Sequence, residues 1–369
     1  MTASTDRVMS GMRTTHRLHV GNYFGALRNW LKLQDQYQCF FGAMDYHAMT
    51  DGYKKPAEVH TYVRDIFAEW IAWGLNSEKN VLFVQSLVPE HIELTLIFAN
   101  LTPMGWLERV TTWKDAQEEL EQKDAKNLGR FTYPVLQTAD ISIYRGTHVP
   151  VGRDQVAHLE LSREIVRKFN RLYCGIDIET KLMKLPNADD ATRKQIKEGE
   201  YRKAHQEGRF FLPEPEALLT ETPLVTGIDG RKMSKSYGNT LFLTPEPDEL
   251  KATTRAMVTD PARVRRTDPG DPAKCQVYSF HKLFSSESDL KWAEEGCRSA
   301  GIGCGDCKGR LSENIEKLVQ GPRERKKELL NNPQRLDSII REGCGRARDV
   351  AGKTLRDVKS TMGFLGGLS

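Results

Sequence analysis

The chain has 369 residues, of which 39% are hydrophobic and 28% are charged, and its formal net charge is +4. This length exceeds what one typical hydrophobic core accommodates, so two domains are expected. No segment approaches the roughly 18 uninterrupted apolar residues that a membrane helix needs, and the first residues lack the apolar stretch of a secretory signal. We therefore expect a cytoplasmic globular protein that does not enter a membrane.

The basic excess lies in the last third of the chain. Residues 237–369 contain 23 Lys and Arg against 19 Asp and Glu, whereas residues 1–236 are neutral overall. So small an excess suits a mixed-charge helical surface as well as a polyanion-binding one, and charge alone does not establish nucleic-acid binding. The seven cysteines favour buried thiols or a metal site over disulfides in a cytoplasmic chain.

The first half of the chain alternates between predicted strands and helices. Residues 7–12 (RVMSGM) predict a first strand, and residues 39–44 (CFFGAM) and 80–86 (NVLFVQS) are apolar runs typical of buried parallel strands. Between these two runs, apolar residues recur at helical spacing at Val59, Val63, Ile66, Trp70 and Trp73. The order predicts an α/β domain whose ligands bind at the carboxyl ends of its strands.

The second half becomes increasingly helical. A helix capped by Asp154 is predicted over residues 154–172, and the polar segment at about 175–208 is expected to be an exposed insertion. The last helix carries an apolar stripe, which is expected to pack against another part of the protein. Its residues are Ile340, Cys344, Ala347, Ala351, Leu355, Val358 and Met362. We therefore divide the chain into an α/β domain, residues 1–240, and an all-helical domain, residues 241–369.

Two short motifs suit a nucleotide site. Residues 19–22 (HVGN) lie at a predicted strand-to-helix turn, where free backbone amides face an anion and a glycine permits its close approach. Alone this motif is weak, because such short patterns occur often by chance. Residues 229–239 (DGRKMSKSYGN) place Lys232 and Lys235 around Met-Ser, in a loop that can wrap a polyphosphate.

With both motifs in hand, the chain from Arg7 to about Met362 resembles the class I aminoacyl-tRNA synthetases, and within them the bacterial tryptophanyl-tRNA synthetases. Further segments occur in the family's order: MDYHAMTD, LERVTTWKD, YPVLQTADISIY, VPVGRDQVAHLELSREI and MVTDPARVRRTDPGDP. The resemblance implies a Rossmann-like parallel-sheet nucleotide-binding domain followed by a helical anticodon-binding domain. It also implies a ligase that activates L-tryptophan with ATP and transfers it to tRNA(Trp). Neither step needs a protein nucleophile, so the site must supply positioning and charge stabilisation.

The resemblance also implies roles for individual residues at the ATP site. His19, Asn22, Lys232 and Lys235 would act on the phosphates of ATP, aided by Mg²⁺. The whole implied ATP-binding set is Arg13, Thr14, Thr15, His19, Gly21, Asn22, Gly152, Asp154, Lys232, Met233, Ser234, Lys235 and Ser236.

For the amino acid, a buried carboxylate is the natural discriminator, because the indole nitrogen can only donate a hydrogen bond. Asp140 falls at the family position with that role, and its apolar sequence neighbours predict that it is buried. The implied tryptophan-binding set is Asp140, Gln155, Tyr133, His47 and Gly11.

Four cysteines form a C-x21-C-x6-C-x2-C pattern at Cys275, Cys297, Cys304 and Cys307. The spacing suggests four thiolates on one metal centre, and both zinc and iron–sulfur clusters accept four thiolates. A subset of bacterial tryptophanyl-tRNA synthetases carries a 4Fe-4S cluster at similar spacing, so the resemblance favours that cluster, with zinc or unliganded thiols as alternatives. The basic run 262–266 (ARVRR), with Lys308 and Arg310, would then meet anticodon phosphates.

The chain departs from the family in two places. Where the family has Arg-Pro-Thr-Gly, this chain has Arg13-Thr14-Thr15-His16, and a histidine at a position that needs positive φ would be strained. Arg153 stands where the family has an acidic residue. The amino-acid pocket and the lysine-containing loop look intact, so an active enzyme is still expected, with an altered or slower ATP step as a hypothesis to test.

Three alternatives to an active tryptophan–tRNA ligase stay open. One is a paralogue with weakened ATP chemistry that acts as a regulatory or accessory tryptophan- or ATP-binding protein. The others are a tyrosine-specific relative and an RNA-binding metalloprotein that uses mainly its helical half. The family is typically homodimeric, and the apolar helices around Leu94 to Trp106 are a candidate interface.

Overall fold

The computed structural model describes residues 6–110, 113, 127–152, 156–219, 225–234 and 237–364. Its centre is a parallel sheet of five strands in the order β3-β2-β1-β4-β5. The strands are β1 (Arg7–Arg13), β2 (Gln38–Met44), β3 (Val81–Val84), β4 (His148–Val151) and β5 (Glu216–Leu219). Helices flank this sheet and continue into a helical carboxyl-terminal region, which confirms the predicted α/β, Rossmann-like fold class.

The helices of the amino-terminal half precede and separate these strands. They are α1 (Val20–Asn22), α2 (Arg28–Leu33), α3 (Asp45–Gly52), α4 (Pro56–Ala72), α5 (Glu90–Leu101), α6 (Met104–Glu108), α7 (Leu128–Ile143), α8 (Val156–Tyr173), α9 (Ile178–Met183) and α10 (Asp190–Gln206). A π-helical segment, Tyr23–Leu27, joins α1 to α2. The polar segment at 175–208 contains α9 and α10, and its side chains are exposed or half-buried except for Ile176, Ile178 and Ala204.

In the carboxyl-terminal region that the structure describes, the regular elements are helices, and an irregular connection, residues 257–275, joins the first two of them. They are α11 (Pro247–Ala256), α12 (Gln276–Phe284), α13 (Glu287–Arg298), α14 (Cys304–Asn331) and α15 (Pro333–Thr361). No helix in the described ranges is long and apolar enough to cross a membrane.

The strand order reverses direction at β1, which lies between β2 and β4. The first two crossovers build the sheet outward through β2 to β3, and the chain then returns to place β4 on the other side of β1. In open parallel sheets, ligands bind in the crevice outside the carboxyl ends of strands at such a reversal. The topology therefore places the candidate site next to the ends of β1 and β4.

Helix α15 covers the open edge of the sheet at β3. A Cβ atom added to Gly343 would lie 1.8 Å from the carbonyl oxygen of Leu82, so helix and strand are in direct backbone contact. The adjacent Cys344 Sγ accepts a hydrogen bond from the backbone N–H of Val84 at 3.3 Å. The predicted apolar stripe of this helix thus packs on the sheet, and α15 shares the hydrophobic core of the amino-terminal half. Covering an edge strand in this way removes a template for aggregation.

A buried charge network joins the two halves of the chain. Lys326 Nζ in α14 lies 2.5 Å from Glu69 Oε2 and 2.8 Å from Asp65 Oδ1, both in α4. The hydroxyl of Thr244 donates to the same Glu69 oxygen at 3.0 Å. Burial raises the pKa of Glu69, and the Lys326 ammonium offsets part of that effect. Removing one member of such a pair leaves a buried charge uncompensated.

We expect Gly343→Ala to destabilise the protein, because its Cβ would overlap the Leu82 carbonyl and force α15 away from the sheet edge. Overpacking of this kind costs roughly 1–3 kcal/mol. The measurement is the free energy of unfolding in urea.

The matched control is Gly345→Ala on the exposed face of the same helix, where an added Cβ has no neighbour within 4 Å. Alanine there is expected to stabilise the helix by up to about 1 kcal/mol. Equal effects of the two substitutions would contradict the close packing of α15 on β3.

Candidate active site

A cavity of about 540 Å³ opens where the topology predicts a site. One wall comes from the carboxyl-terminal part of β1 and the other from β4 and Gly152. Helices α3 and α7 close the remaining sides, and Gly25 and Ala26 of the π-helical segment reach its rim. Six residues predicted to bind substrates line this single cavity: Gly11, Arg13, His47, Tyr133, Asp140 and Gly152.

Asp140 is the buried centre of this cavity. Only 2% of the residue is exposed, and its carboxylate accepts three hydrogen bonds from the protein. Oδ1 accepts from Gln85 Nε2 at 2.8 Å and from His91 Nδ1 at 2.7 Å. Oδ2 accepts from His47 Nε2 at 2.8 Å. The predicted burial of Asp140 is therefore confirmed.

The surroundings of Asp140 keep its carboxyl group ionised. Burial by itself would raise the pKa of Asp140, but the hydrogen bonds from His47 and His91 outweigh burial and hold the pKa well below its usual range. An ionised carboxylate offers about four acceptor positions. Three of them are occupied by protein donors, so one position remains on Oδ2 beside the cavity. A ligand that donates a single N–H or O–H satisfies the group completely.

The other predicted pocket residues surround Asp140. The Tyr133 ring lies edge-on to the His47 ring, with 5.9 Å between the ring centroids. The Tyr133 hydroxyl is 3.1 Å from His158 Nδ1. A Cβ at Gly11 would lie 2.4 Å from Met44 Cε. Any other residue at this position would therefore displace the Met44 side chain and change the shape of the cavity. Gln155 lies outside the described residues, and its role stays a prediction.

The turn at residues 19–22 begins the first helix after β1. The backbone N–H of His19 donates to Asn22 Oδ1 at 3.0 Å, which holds the turn closed. Val20 N–H donates to Leu241 O at 3.0 Å, and Leu243 N–H donates to Leu18 O at 2.9 Å. These two backbone hydrogen bonds tie the turn to the segment that follows the lysine-containing loop.

That loop, residues 229–239, is organised by Asn239. Its Nδ2 donates to Asp229 Oδ1 at 2.8 Å and to Lys232 O at 3.1 Å, while its Oδ1 accepts from Ser234 N–H at 2.8 Å. Met233 is buried, and a Cβ at Gly21 would lie 3.9 Å from its sulfur. The two predicted ATP-facing motifs are thus adjacent. Lys235 and Ser236 lie outside the described residues, as do Arg153 and Asp154.

The unusual loop after β1 is not strained in the way the sequence suggested. Among described residues other than glycine, only Arg145 and Ala300 have positive φ. His16 therefore does not occupy a conformation that needs glycine, and the expectation of backbone strain there is wrong. Its ring instead contacts the Tyr62 ring at 5.2 Å between centroids. Thr14 is fully buried, and its hydroxyl has no hydrogen-bond partner in the described part of the chain.

Two arginines share one carboxylate at the cavity mouth. Arg13 forms an ion pair with Asp51, and Arg130 Nη1 lies 3.6 Å from the other oxygen of Asp51. All three side chains line the cavity. Asp51 ends the segment MDYHAMTD but received no role from the sequence, and Arg130 carried no signal there, because the two side chains meet only when α3 packs beside α7.

The four predicted ligand cysteines come together in the helical region. Burial raises the pKa of Cys307 to about 12, and the nearby Cys275, Cys297 and Cys304 thiols add to that effect. All seven cysteines of the chain are free thiols.

The immediate surroundings of these thiols are polar and crowded. Arg263 Nη1 lies 3.9 Å from Cys297 Sγ, and His281 Nε2 lies 3.4 Å from Cys307 Sγ. A Cβ at Gly270 would lie 2.6 Å from Cys297 Sγ. Within the described ranges, no group of three or more Cys, His, Asp or Glu side chains is arranged to hold a metal ion.

The basic residues near the cysteines are only partly available to a nucleic acid. Arg263 is buried and donates to Ile302 O at 2.7 Å and Arg266 O at 2.9 Å, so its expected contact with phosphate is wrong. Lys308 Nζ donates to Arg255 O at 2.7 Å. Arg265 and Arg266 remain exposed.

The cavity lies at a reversal of strand order in a parallel sheet, a position typical of α/β enzymes that bind ligands at the ends of their strands. The family model described as tRNA synthetases class I (W and Y) matches residues 2–320. The chain is 42% identical to the tryptophan–tRNA ligase of Ralstonia nicotianae, over 97% of this chain and 98% of that protein. It is also 42% identical to the tryptophan–tRNA ligase of Thermotoga maritima, over 97% and 99% of the two chains.

A solved structure is similar over the same extent. The tryptophanyl-tRNA synthetase from Campylobacter jejuni, complexed with ADP and tryptophan, has a TM-score of 0.78 and 32% identity, covering 97% of this chain and 100% of that chain. The chain therefore belongs to the class I tRNA synthetase family of the tryptophan and tyrosine enzymes, and it is an aminoacyl-tRNA synthetase.

Proposed function

We propose that this synthetase is a tryptophan–tRNA ligase that forms tryptophanyl-adenylate from L-tryptophan and ATP and transfers the tryptophanyl group to tRNA(Trp). The observation that carries the proposal is Asp140, a buried and ionised carboxylate with one unused acceptor position beside the cavity. The indole N–H donates one hydrogen bond and accepts none, so it matches that position. Likeness to bacterial tryptophan–tRNA ligases over nearly the whole chain supports the same substrate.

Tyrosine is the strongest rival substrate, because its hydroxyl can also donate to Asp140 and the family includes tyrosine enzymes. That hydroxyl is also an acceptor, however, and an ionised carboxylate offers it no donor. A buried hydroxyl with an unmet hydrogen-bonding group binds less tightly. The pocket chemistry therefore favours tryptophan.

ATP would be bound jointly by the cavity and by the two adjacent motifs. We propose that His19, Gly21 and Asn22 lie against the adenosine and phosphates of ATP. Lys232 and Lys235 neutralise the charge that builds on the leaving pyrophosphate, with Mg²⁺ bound to the phosphates. The remaining ATP contacts are those predicted for Arg13, Thr14, Thr15, Gly152, Asp154, Met233, Ser234 and Ser236.

No protein nucleophile is needed in this scheme. The tryptophan carboxylate attacks the α-phosphate of ATP and pyrophosphate leaves, so the enzyme contributes orientation and charge stabilisation. The absence of φ strain at His16 removes one of the two sequence features that favoured a weakened paralogue. The adenylate-forming enzyme is therefore the function that we propose over a regulatory one.

We further propose that Cys275, Cys297, Cys304 and Cys307 hold a 4Fe-4S cluster. Support comes from the mutual proximity of the four thiols and from a donor set of four cysteines, which suits such a cluster. Zinc also accepts four thiolates, so a zinc site is the alternative that metal analysis of the purified protein distinguishes from the cluster. The cluster would fix the positions of α12, α13 and α14 relative to one another.

The partners and location follow from the proposed reaction. Residues 241–369 would bind the anticodon region of tRNA(Trp), with exposed Arg265 and Arg266 meeting phosphates. We also propose a homodimer, supported by four exposed large apolar side chains in α5, α6 and α7, namely Ile92, Leu96, Met104 and Leu128. We place the enzyme in the cytoplasm, where tRNA is charged.

Purified protein is expected to catalyse tryptophan-dependent exchange of labelled pyrophosphate into ATP, and to charge tRNA(Trp) with tryptophan but not with tyrosine in direct competition. No tryptophan-dependent exchange would exclude the proposed activation step. Preferential charging with tyrosine would reassign the substrate within the same family.

Asp140→Asn is expected to raise the KM for tryptophan by about 100-fold, because the amide carries no charge and cannot satisfy three protein donors and an indole N–H together. The KM for ATP should change little. The control is Asp337→Asn, which removes an exposed ion pair with Arg64 and should leave both constants unchanged. A D140N enzyme with normal tryptophan KM would remove Asp140 from the recognition site.

Protein purified without oxygen is expected to be brown and to contain about four iron and four sulfide ions per chain. Cys304→Ser should abolish the colour, whereas Cys174→Ser, at a buried thiol outside the group, should retain it. A colourless sample with one zinc per chain would replace the cluster with the zinc alternative.

A further inference from the structure

His91 lies behind Asp140 and does not line the cavity. The residue is fully buried near the start of α5, and both ring nitrogens have partners. Nδ1 is 2.7 Å from Asp140 Oδ1, and Nε2 is 2.7 Å from the hydroxyl of Tyr144. A line of three side chains thus runs from the core to the cavity: Tyr144, His91 and Asp140.

The charge on Asp140 sets the direction of its hydrogen bond with His91. An ionised carboxylate can only accept, so His91 must present Nδ1–H to it. In the neutral ring, Nε2 is then an acceptor, and the Tyr144 hydroxyl donates its proton to it. Burial raises the pKa of Tyr144 well above its ordinary value, so the phenol keeps the proton that it donates. With a neutral His91 ring, both donors in this line point toward the cavity, an arrangement in which each bond strengthens the next.

Aromatic contacts fix the planes of both rings. Phe83 of β3 stacks on the His91 ring, with centroids 5.6 Å apart and planes 16° apart. Phe40 of β2 stacks on the Tyr144 ring at 4.6 Å and 19°. Because these phenylalanines belong to the buried strands of the sheet, the orientation of His91 is set by the fold and does not depend on a ligand.

His91 also decides which carboxylate oxygen is available to a ligand. With Gln85 and His91 as donors, Oδ1 has no acceptor position left, whereas Oδ2 has only His47. Without His91, an acceptor on Oδ1 would be unmet and the carboxylate could turn away from the cavity. The hydrogen-bond donor of the ligand would then meet a carboxylate whose orientation is less well defined.

We infer that His91 is a positioning residue for substrate selection: held by Tyr144, it orients Asp140 so that the pocket favours an amino acid with a ring N–H donor. This inference rests on the proposed tryptophan activation and adds two residues, His91 and Tyr144, that do not line the cavity. The discriminating probe is β-(3-benzothienyl)alanine, which has the shape of tryptophan but carries sulfur in place of the indole N–H.

The experiment compares kcat/KM for tryptophan and for the benzothienyl analogue in pyrophosphate exchange. His91→Leu is expected to lower kcat/KM for tryptophan by about 10- to 100-fold, mainly through KM. The kcat/KM for the analogue should stay within about threefold of the wild-type value. The ratio of the tryptophan value to the analogue value should therefore fall sharply. His91→Asn places an amide N–H near the position of Nδ1 and should restore most of the ratio. Tyr144→Phe, which keeps the ring stacking, should lower the ratio by about three- to tenfold.

A matched control separates selection from general loss of packing. Thr138→Val removes a buried hydroxyl on the same helix as Asp140, where it donates to Pro134 O and to Ser162 Oγ without contacting Asp140. This variant should lose thermal stability and keep the wild-type ratio of the two substrates. If His91→Leu changes both substrates equally, as a packing defect would, the inference is overturned.

The outcomes also distinguish this inference from the proposed function. If Tyr144→Phe keeps the wild-type ratio of the two kcat/KM values while the wild type shows normal pyrophosphate exchange, the proposed role of Tyr144 and His91 is overturned. The proposed tryptophan ligase activity would then still stand. Tyr144→Phe also decides the matter if His91→Leu does not fold. Absence of tryptophan-dependent exchange in the wild type would overturn the proposed function itself, and this inference with it.

Discussion

A buried, ionised carboxylate is the constraint on which the site depends. Removing a charge from water is costly unless hydrogen-bond donors replace the solvent. Asp140 in α7 receives these donors from His47 in α3, Gln85 directly after β3 and His91 in α5. His47 follows β2, whereas Gln85 and His91 both follow β3, so the carboxylate receives all three donors only when the segments after these two strands meet α7. The proposed recognition of tryptophan by Asp140 and the packing of these elements thus depend on the same set of contacts.

The positions of the two predicted ATP-binding motifs also depend on contacts between segments that are distant in sequence. The turn at residues 19–22 and the segment after the lysine-containing loop pair through backbone hydrogen bonds, Val20 to Leu241 and Leu243 to Leu18. The same segment carries Thr244, which donates to Glu69 beside Lys326 of α14. A shift of α14 would therefore reach the lysine-containing loop through bonded contacts. This arrangement provides a direct mechanical connection between the helical region and the proposed ATP site.

Much of the architecture was predictable because it follows from local patterns. The apolar runs at residues 39–44 and 80–86 form buried parallel strands, and Asp140 is buried among the apolar residues that surround it in sequence. The stripe on the last helix was recognised, but its partner was not. That partner is the open edge of β3, where Gly343 and Cys344 contact the strand backbone, and a periodic stripe contains no information about which surface it will cover.

The class of fold, the family and the burial of Asp140 could all be inferred from the amino-acid sequence, because strand periodicity and motif order are local properties of the chain. Only the tertiary structure decided how Asp140 is held, since His91 and Gln85 are about 50 residues away in sequence and meet it through the strand order. It also decided that Arg263 is committed to backbone carbonyls and that His16 has negative φ. Hydrogen-bond partners and backbone angles at such positions are set by packing between elements, which no residue encodes alone.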